Sequence, residues 1–193
     1  MNKIPPKSAK VVVIGGGVAG CSVAYHLTEF GWNDVILLER DQLTSGTTWH
    51  AAGLIGQLGS SATITRLRNY SLNLYKKLEK ETGLSTGLKQ NGSLTVATTA
   101  ARLEELKRQL TFAQRFNVEA KEVTKEEIKE IYPLINTKDV VGGVFISQDG
   151  QADPVGITNV LAKSAKNNGA KFFEKCPVKK ILVKNDKIEG VET

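Results

Sequence analysis

Apolar and polar positions alternate in a recognisable order from the first residues onward. Lys10 to Ile14 is a short β-branched run and Gly15 to Gly17 a turn; Val18 to Phe30 then puts Ala19, Val23 and Leu27 on one helical face, closed by Gly31. Asp34 to Leu38 is a second apolar run, too short for a helix. Residues 10–38 therefore spell strand, turn, helix, strand: a βαβ unit whose two strands must run parallel. Residues 40–61 form a polar stretch rich in Gly, Ser and Thr, and a loop of that length inside a compact domain is more often functional than idle.

Helical spacing returns from Ala62 to Thr82, where Ile64, Leu67, Leu74 and Leu78 recur and Gly83 supplies the stop. Gln90 to Ala97 reads as a strand, and Leu103, Leu106, Leu110 and Ala113 mark another amphipathic helix. Thr124 and Glu127 have the spacing of a capping box for a third, ending before Pro133, and Val140 to Ile146 is a strand. Asp153 and Pro154 open a further helix that Gly169 closes, followed by a third core strand at Lys171 to Phe173. Val178 to Val183 and Ile188 to Thr193 flank Asn185-Asp186, a hairpin signal.

The expected fold is α/β, a Rossmann-type domain of parallel sheet and helices carrying an inserted α+β portion. Its divisions are a first βαβ at 1–40, a loop at 41–61, inserted helices and strands at 62–152, and a return to the nucleotide-binding core at 153–193. Three parallel strands are few for a doubly wound sheet, and the last strand of the hairpin runs to Thr193. The chain is therefore expected to be a fragment, incomplete at its C-terminus, exposing apolar faces and inactive alone.

Composition narrows the function classes. With 193 residues, 40% apolar and 24% charged, the chain reads as an ordinary globular protein, which excludes disordered and collagen-like readings. The excess of 26 Lys and Arg over 20 Asp and Glu is spread as scattered Lys, so it reads as a solvated surface rather than a nucleic-acid footprint. Cys21 and Cys176 lack CxxC spacing, so no metal site and no disulfide framework is expected. Lys3, Lys7 and Lys10 before the apolar run Val11 to Tyr25 imitate a secretion signal, and Val18-Ala19-Gly20-Cys21 a lipoprotein cleavage site. Three consecutive glycines would break a signal helix, and the run is shorter than the ~20 residues that span a bilayer. No membrane association is expected, and a bacterial protein of this kind would be cytoplasmic.

Gly15-x-Gly17-x-x-Gly20 follows a strand and opens a helix, the context in which this spacing is informative. The first glycine permits the tight turn, the second lets backbone approach a pyrophosphate, and the third lets the helix pack closely on the strand. Phosphates would then meet the free N–H groups and positive dipole end of the helix. Glu39, at the end of the second strand, can accept hydrogen bonds from both ribose hydroxyls and would repel a 2′-phosphate, which disfavours NADP. These residues do not separate FAD from NAD.

The loop Thr44-Ser45-Gly46-Thr47-Thr48-Trp49-His50-Ala51-Ala52-Gly53-Leu54 makes that separation. It resembles the flavin-contacting loop of the dimethylglycine and sarcosine dehydrogenase family, within the D-amino acid oxidase-like FAD enzymes. The likeness continues through Glu79-Lys80-Glu81-Thr82-Gly83, Gln90-Asn91-Gly92-Ser93-Leu94 and Asp149-Gly150-Gln151-Ala152-Asp153-Pro154. The resemblance implies FAD bound covalently through His50, where a neutral ring nitrogen can attack an electrophilic methylene. It also implies that Val18, Ala19, Glu39, Arg40, Gly46, Thr47, Thr48, Trp49, Ala51, Ala52, Gly53, Leu54 and Val178 line the cofactor beside Gly15, Gly17 and Gly20.

By the same resemblance, 1–40 is the first part of the FAD-binding domain, 41–61 the flavin-contacting loop, and 62–152 partly substrate domain. The implied activity is FAD-dependent oxidative demethylation of a small N-methylated amino acid, sarcosine or dimethylglycine, passing electrons to an acceptor the sequence does not identify. Relatives in eukaryotes would act in the mitochondrial matrix, and folate would belong to a C-terminal domain outside this chain. Gly56-Gln57-Leu58-Gly59 leans to the sarcosine branch and Trp49-His50-Ala51-Ala52 to the dimethylglycine branch. The alternatives are a non-catalytic module of the pyruvate dehydrogenase phosphatase regulatory-subunit type, whose members lack the linking His, and another FAD-dependent amine oxidoreductase.

Overall fold

The computed structural model describes residues 4–193. Lys3, part of the signal-like pattern, lies outside the described residues. The described residues divide into two compact units: residues 4–53, 75–87 and 153–193 form the first, and residues 54–74 and 88–152 the second.

The first unit is built on a parallel sheet of β1 (Val11–Ile14), β2 (Val35–Leu38) and β8 (Lys171–Phe173), with β2 in the middle. Val11 pairs with Val35, and Ile36 with Lys171. All four residues of β2 are buried, as a central parallel strand covered on both faces requires. Ile36 and Leu38 pack with Phe173 against Val12, Val178 and Val191 on one face. Helix α1 (Val18–Glu29) packs on β2 and against α5 (Pro154–Asn167), burying Cys21, Ala24, Tyr25 and Thr28. Asp153 caps α5 by accepting the Val155 N–H at 3.0 Å, with Pro154 in the first turn, as its sequence predicts.

The hairpin β9 (Lys180–Lys184) and β10 (Lys187–Glu192) turns at Asn185 (φ 49°) and Asp186 (φ 58°), two consecutive left-handed residues that the Asn-Asp pair tolerates. Residues 75–87 group with this unit although they lie within the span read from the sequence as inserted.

The second unit carries an antiparallel sheet in the order β4 (Ser93–Ala97), β6 (Gly142–Ile146), β5 (Ala120–Val123). Side chains alternate across it. Val144 and Ile146 join Ala97 of β4 and Leu106 and Ala113 of α3 (Ala100–Gln114), while Phe145, Val123 and Val140 pack with Ile128 of α4 (Lys125–Ile131). The capping box at α4 is present: Thr124 Oγ1 accepts the Glu127 N–H at 3.2 Å and Glu127 Oε2 accepts the Thr124 N–H at 2.8 Å. β3 (Leu54–Ile55) pairs with β7 (Gly150–Gln151), and the buried Asp149 carboxylate accepts from Gln57 N at 2.8 Å and Ser93 Oγ at 2.6 Å.

α2 (Ala62–Thr82) has the bounds its periodicity predicts. The strand expected from Gln90 begins at Ser93, and the one expected from Val178 begins at Lys180. In both places loop bonds precede the strand, among them Gly92 N to Asp149 O at 2.8 Å and Lys179 N to Glu192 O at 2.8 Å. Among the described residues no helix is long and apolar enough to cross a membrane.

Candidate functional site

In the first unit a cavity of about 480 Å³ opens where β1 and β2 end beside the start of α1. Gly15, Gly17, Glu39, Arg40, Gly46, Thr47, Thr48 and Val178 line it, together with four residues that motif reasoning leaves out: Ile14, Leu38, Asp41 and Ser45. The four are strand-end and loop neighbours of motif residues, so only the fold shows that they face the same space.

The turn that forms the cavity floor is tightly specified. Gly15 sits at φ +105°, a conformation that side-chain-bearing residues rarely adopt. A Cβ on Gly20 would run into the carbonyl oxygen of Gly15, which is why the helix can approach the strand only with glycine there. Gly15 N donates to Leu38 O at 2.8 Å, and Thr44 N to Gly16 O at 3.1 Å.

Glu39 is buried, and its carboxylate is partly engaged. Oε2 accepts the Gly16 N–H at 2.6 Å and Oε1 accepts the Asp41 N–H at 2.8 Å. A carboxylate offers about four lone-pair sites, so one site on each oxygen is left to face the cavity.

The start of α1 differs from the sequence expectation of wholly free N–H groups. Thr48, buried in a single 3-10 turn (Thr48–His50), accepts the Val18 N–H on Oγ1 at 3.0 Å. The hydroxyl thereby supplies the cap that Gly17 lacks, and its own proton is left to donate. The N–H groups of Gly17 and Ala19 have no partner among the described residues. A phosphate at this helix end would meet two backbone donors and one hydroxyl.

His50 is exposed, its Nδ1 lies 3.2 Å from Gly46 O, and its ring stands 4.0 Å from the Trp49 ring at 40°. A carbonyl only accepts, so in that contact Nδ1 is the donor. Val18 and Ala19 are exposed at the first turn of α1. Trp49, Ala51 and Ala52 are exposed, Gly53 is half-buried, and none of them lines the cavity described. Leu54 belongs to the second unit, where it pairs with Gln151 and is 79% exposed. Cys21 lies beneath the turn with Sγ 3.6 Å from Gly16 O, and burial pushes its thiol pKa up to about 12. It serves as a packing residue under the turn. His26 is a helix residue whose Nδ1 lies 2.7 Å from Ser22 O.

The arrangement suits a dinucleotide: a backbone and hydroxyl cradle for phosphate, a buried carboxylate with free lone pairs beside it, and Val178 on the adjoining wall. Residues 10–193 match the DAO family model, described as FAD dependent oxidoreductase. The chain is 43% identical to mitochondrial sarcosine dehydrogenase of Homo sapiens, the match covering 97% of the chain and 21% of that protein. It is 40% identical to mitochondrial dimethylglycine dehydrogenase of Homo sapiens over 96% of the chain and 21% of that protein. The crystal structure of L-proline dehydrogenase from P. horikoshii superposes with a TM-score of 0.89 at 34% identity, covering 97% of this chain and 49% of that one. The chain thus spans about a fifth of the length of these curated relatives. Glycine turn, acidic strand end and family match agree, and the chain belongs to the DAO family of FAD-dependent oxidoreductases.

Proposed function

We propose that the chain is the FAD-binding part of an oxidative N-demethylase acting on a small N-methylated amino acid, sarcosine or dimethylglycine, with FAD joined to His50. The observation that carries this reading is the cavity at the glycine turn followed directly by an exposed histidine whose Nδ1 meets the Gly46 carbonyl. Its likeness to sarcosine and dimethylglycine dehydrogenases supports the substrate class.

The residues present fit the cofactor. Gly17, Ala19 and Thr48 would hold the pyrophosphate, Glu39 the adenosine ribose, and Val178 and Arg40 the adenine end. When bound, FAD supplies a hydride acceptor for the substrate's N-methyl carbon, and the resulting imine hydrolyses to formaldehyde and the demethylated amine. The chain's own contribution is positional. Glu39 and Thr48 orient the nucleotide, and with Nδ1 of His50 against the Gly46 carbonyl, Nε2 is the nitrogen available to bond carbon.

The test is made on the complete protein. Denatured wild type should keep a fluorescent flavin on a gel, and His50→Ala should lose it. Sarcosine or dimethylglycine should bleach the bound flavin anaerobically. Covalent flavin surviving in His50→Ala would overturn the attachment, and flavin that neither amine reduces would overturn the substrate class.

A further inference from the structure

The second unit holds a cavity of about 450 Å³ between α3 and the loop that follows β3. Glu105, Arg108, Gln109 and Phe112 face it from α3 at positions i, i+3, i+4 and i+7, one stripe of the helix, while Leu106 and Ala113 are buried in the unit's core. Leu58 and Ser60 form the opposite wall. That wall is fixed rather than loose: Gly59 N donates to Thr65 Oγ1 at 3.0 Å, and Arg68 donates to the Leu58 carbonyl.

Two cations share one acid at the cavity: Glu105 is ion-paired to Arg102 at 2.6 Å and also lies in the field of Arg108, whose guanidinium makes no ion pair among the described residues. The apolar side is aromatic. Phe112 and Phe116 lie with ring centroids 4.9 Å apart, and the Arg66 guanidinium sits 5.9 Å over the Phe116 ring. A guanidinium fork with a neighbouring amide and hydroxyl matches a carboxylate, and the Phe112 and Leu58 surfaces match a flat hydrocarbon. Glu105 alongside disfavours a dianion, which selects a single carboxylate over a phosphate monoester.

We propose that this cavity binds a small organic monocarboxylate with a planar apolar body. The proposal does not depend on flavin or on His50. Its volume lies within the range of ordinary small-molecule sites.

The experiment is a titration of the complete protein with 1-naphthoate, followed by amide ¹H–¹⁵N shifts of selectively labelled residues. The expected result is saturable movement of the Ser60, Gln109 and Phe112 amides. Arg108→Gln should weaken binding about tenfold, because a charge-assisted pair is lost, and Arg108→Lys should fall between. Phe112→Ala should also weaken it. 1-Naphthalenemethanol, with the same ring and no charge, should bind at least about tenfold less tightly. Arg108 is exposed, so its variants should unfold at the wild-type temperature, which checks that the fold is intact. Absence of saturable shifts at these residues would overturn the proposal. So would equal binding by Arg108→Gln, or equal binding of the alcohol.

Discussion

The Glu39 carboxylate accepts the Gly16 N–H at 2.6 Å, so the acidic end of β2 pins the glycine turn before any nucleotide arrives. The same side chain holds Asp41 N at 2.8 Å. Glu39→Ala should therefore cost stability in the free protein as well as affinity for FAD. Two backbone donors lose their acceptor, at about 1–3 kcal/mol for each one that stays buried. Glu39→Gln keeps one acceptor oxygen and should lose about half as much. Thermal unfolding and amide exchange at Gly16 and Asp41 check this, and FAD affinity is measured in a His50→Ala background so that covalent attachment does not mask it. Unchanged exchange at Gly16 in Glu39→Ala would return Glu39 to a ribose-only role.

Thr48 supplies the N-terminal cap of α1 from thirty positions away in sequence. Thr48→Val keeps the shape and removes the oxygen, and should destabilise the protein by about 0.5–2 kcal/mol. Thr48→Ser should keep most of the cap. FAD incorporation should follow the same order, because the hydroxyl proton that faces the phosphate site goes with the oxygen. A valine variant that loads FAD normally would separate the cap from the cofactor.

Gly20 has no room for a methyl group, since the Gly15 carbonyl oxygen occupies its place. Gly20→Ala must push α1 off β1 and should cost at least about 1–3 kcal/mol. Gly46 is a control, because no atom lies near its would-be Cβ and its φ is not left-handed. Gly46→Ala should unfold within about 0.5 kcal/mol of wild type. Denaturant midpoints for the pair give the comparison, and equal midpoints would contradict the packing described.

Cys21 sets a pH dependence with a definite sign. Its thiol is held up near 12 by burial, against an ordinary value of 9.0. Between those values the unfolded chain gives up the proton while the native chain keeps it, so stability falls as pH rises through this window and is intact below it. The unfolding temperature of wild type should drop more steeply from pH 9 to 11 than that of Cys21→Ala. Parallel curves would mean that the thiol does not contribute.

Much of this was readable from sequence because the signals are local. The βαβ unit, the bounds of α2, the Thr124–Glu127 capping box and the Asn185-Asp186 turn each rest on residues a few positions apart. β5 was not, since Ala120-Lys121-Glu122-Val123 shows no alternation and is drawn into the sheet only as an edge partner of β6. The cap that Thr48 gives to Val18, and the bond from Leu43 N to Glu174 Oε1 at 2.7 Å, join distant segments. Spacing rules carry no information about such pairs. The α3 cavity was missed for a related reason: Glu105, Arg108, Gln109 and Phe112 read as an ordinary solvated helix face until the loop at Leu58 to Ser60 is laid against them.

The pairing of Ile36 with Lys171 has a consequence for how the protein forms. A ribosome releases β1, α1 and β2 early, but β2 lacks its second neighbour until residues 171–173 have emerged. The β4–β6–β5 sheet is complete once Ile146 is out, and much of its packing comes from residues close in sequence. Loop-closure entropy favours the nearer partners, so that sheet is expected to form first, with the buried face of β2 waiting on β8. During that interval Val35 to Leu38 is the segment most in need of a chaperone.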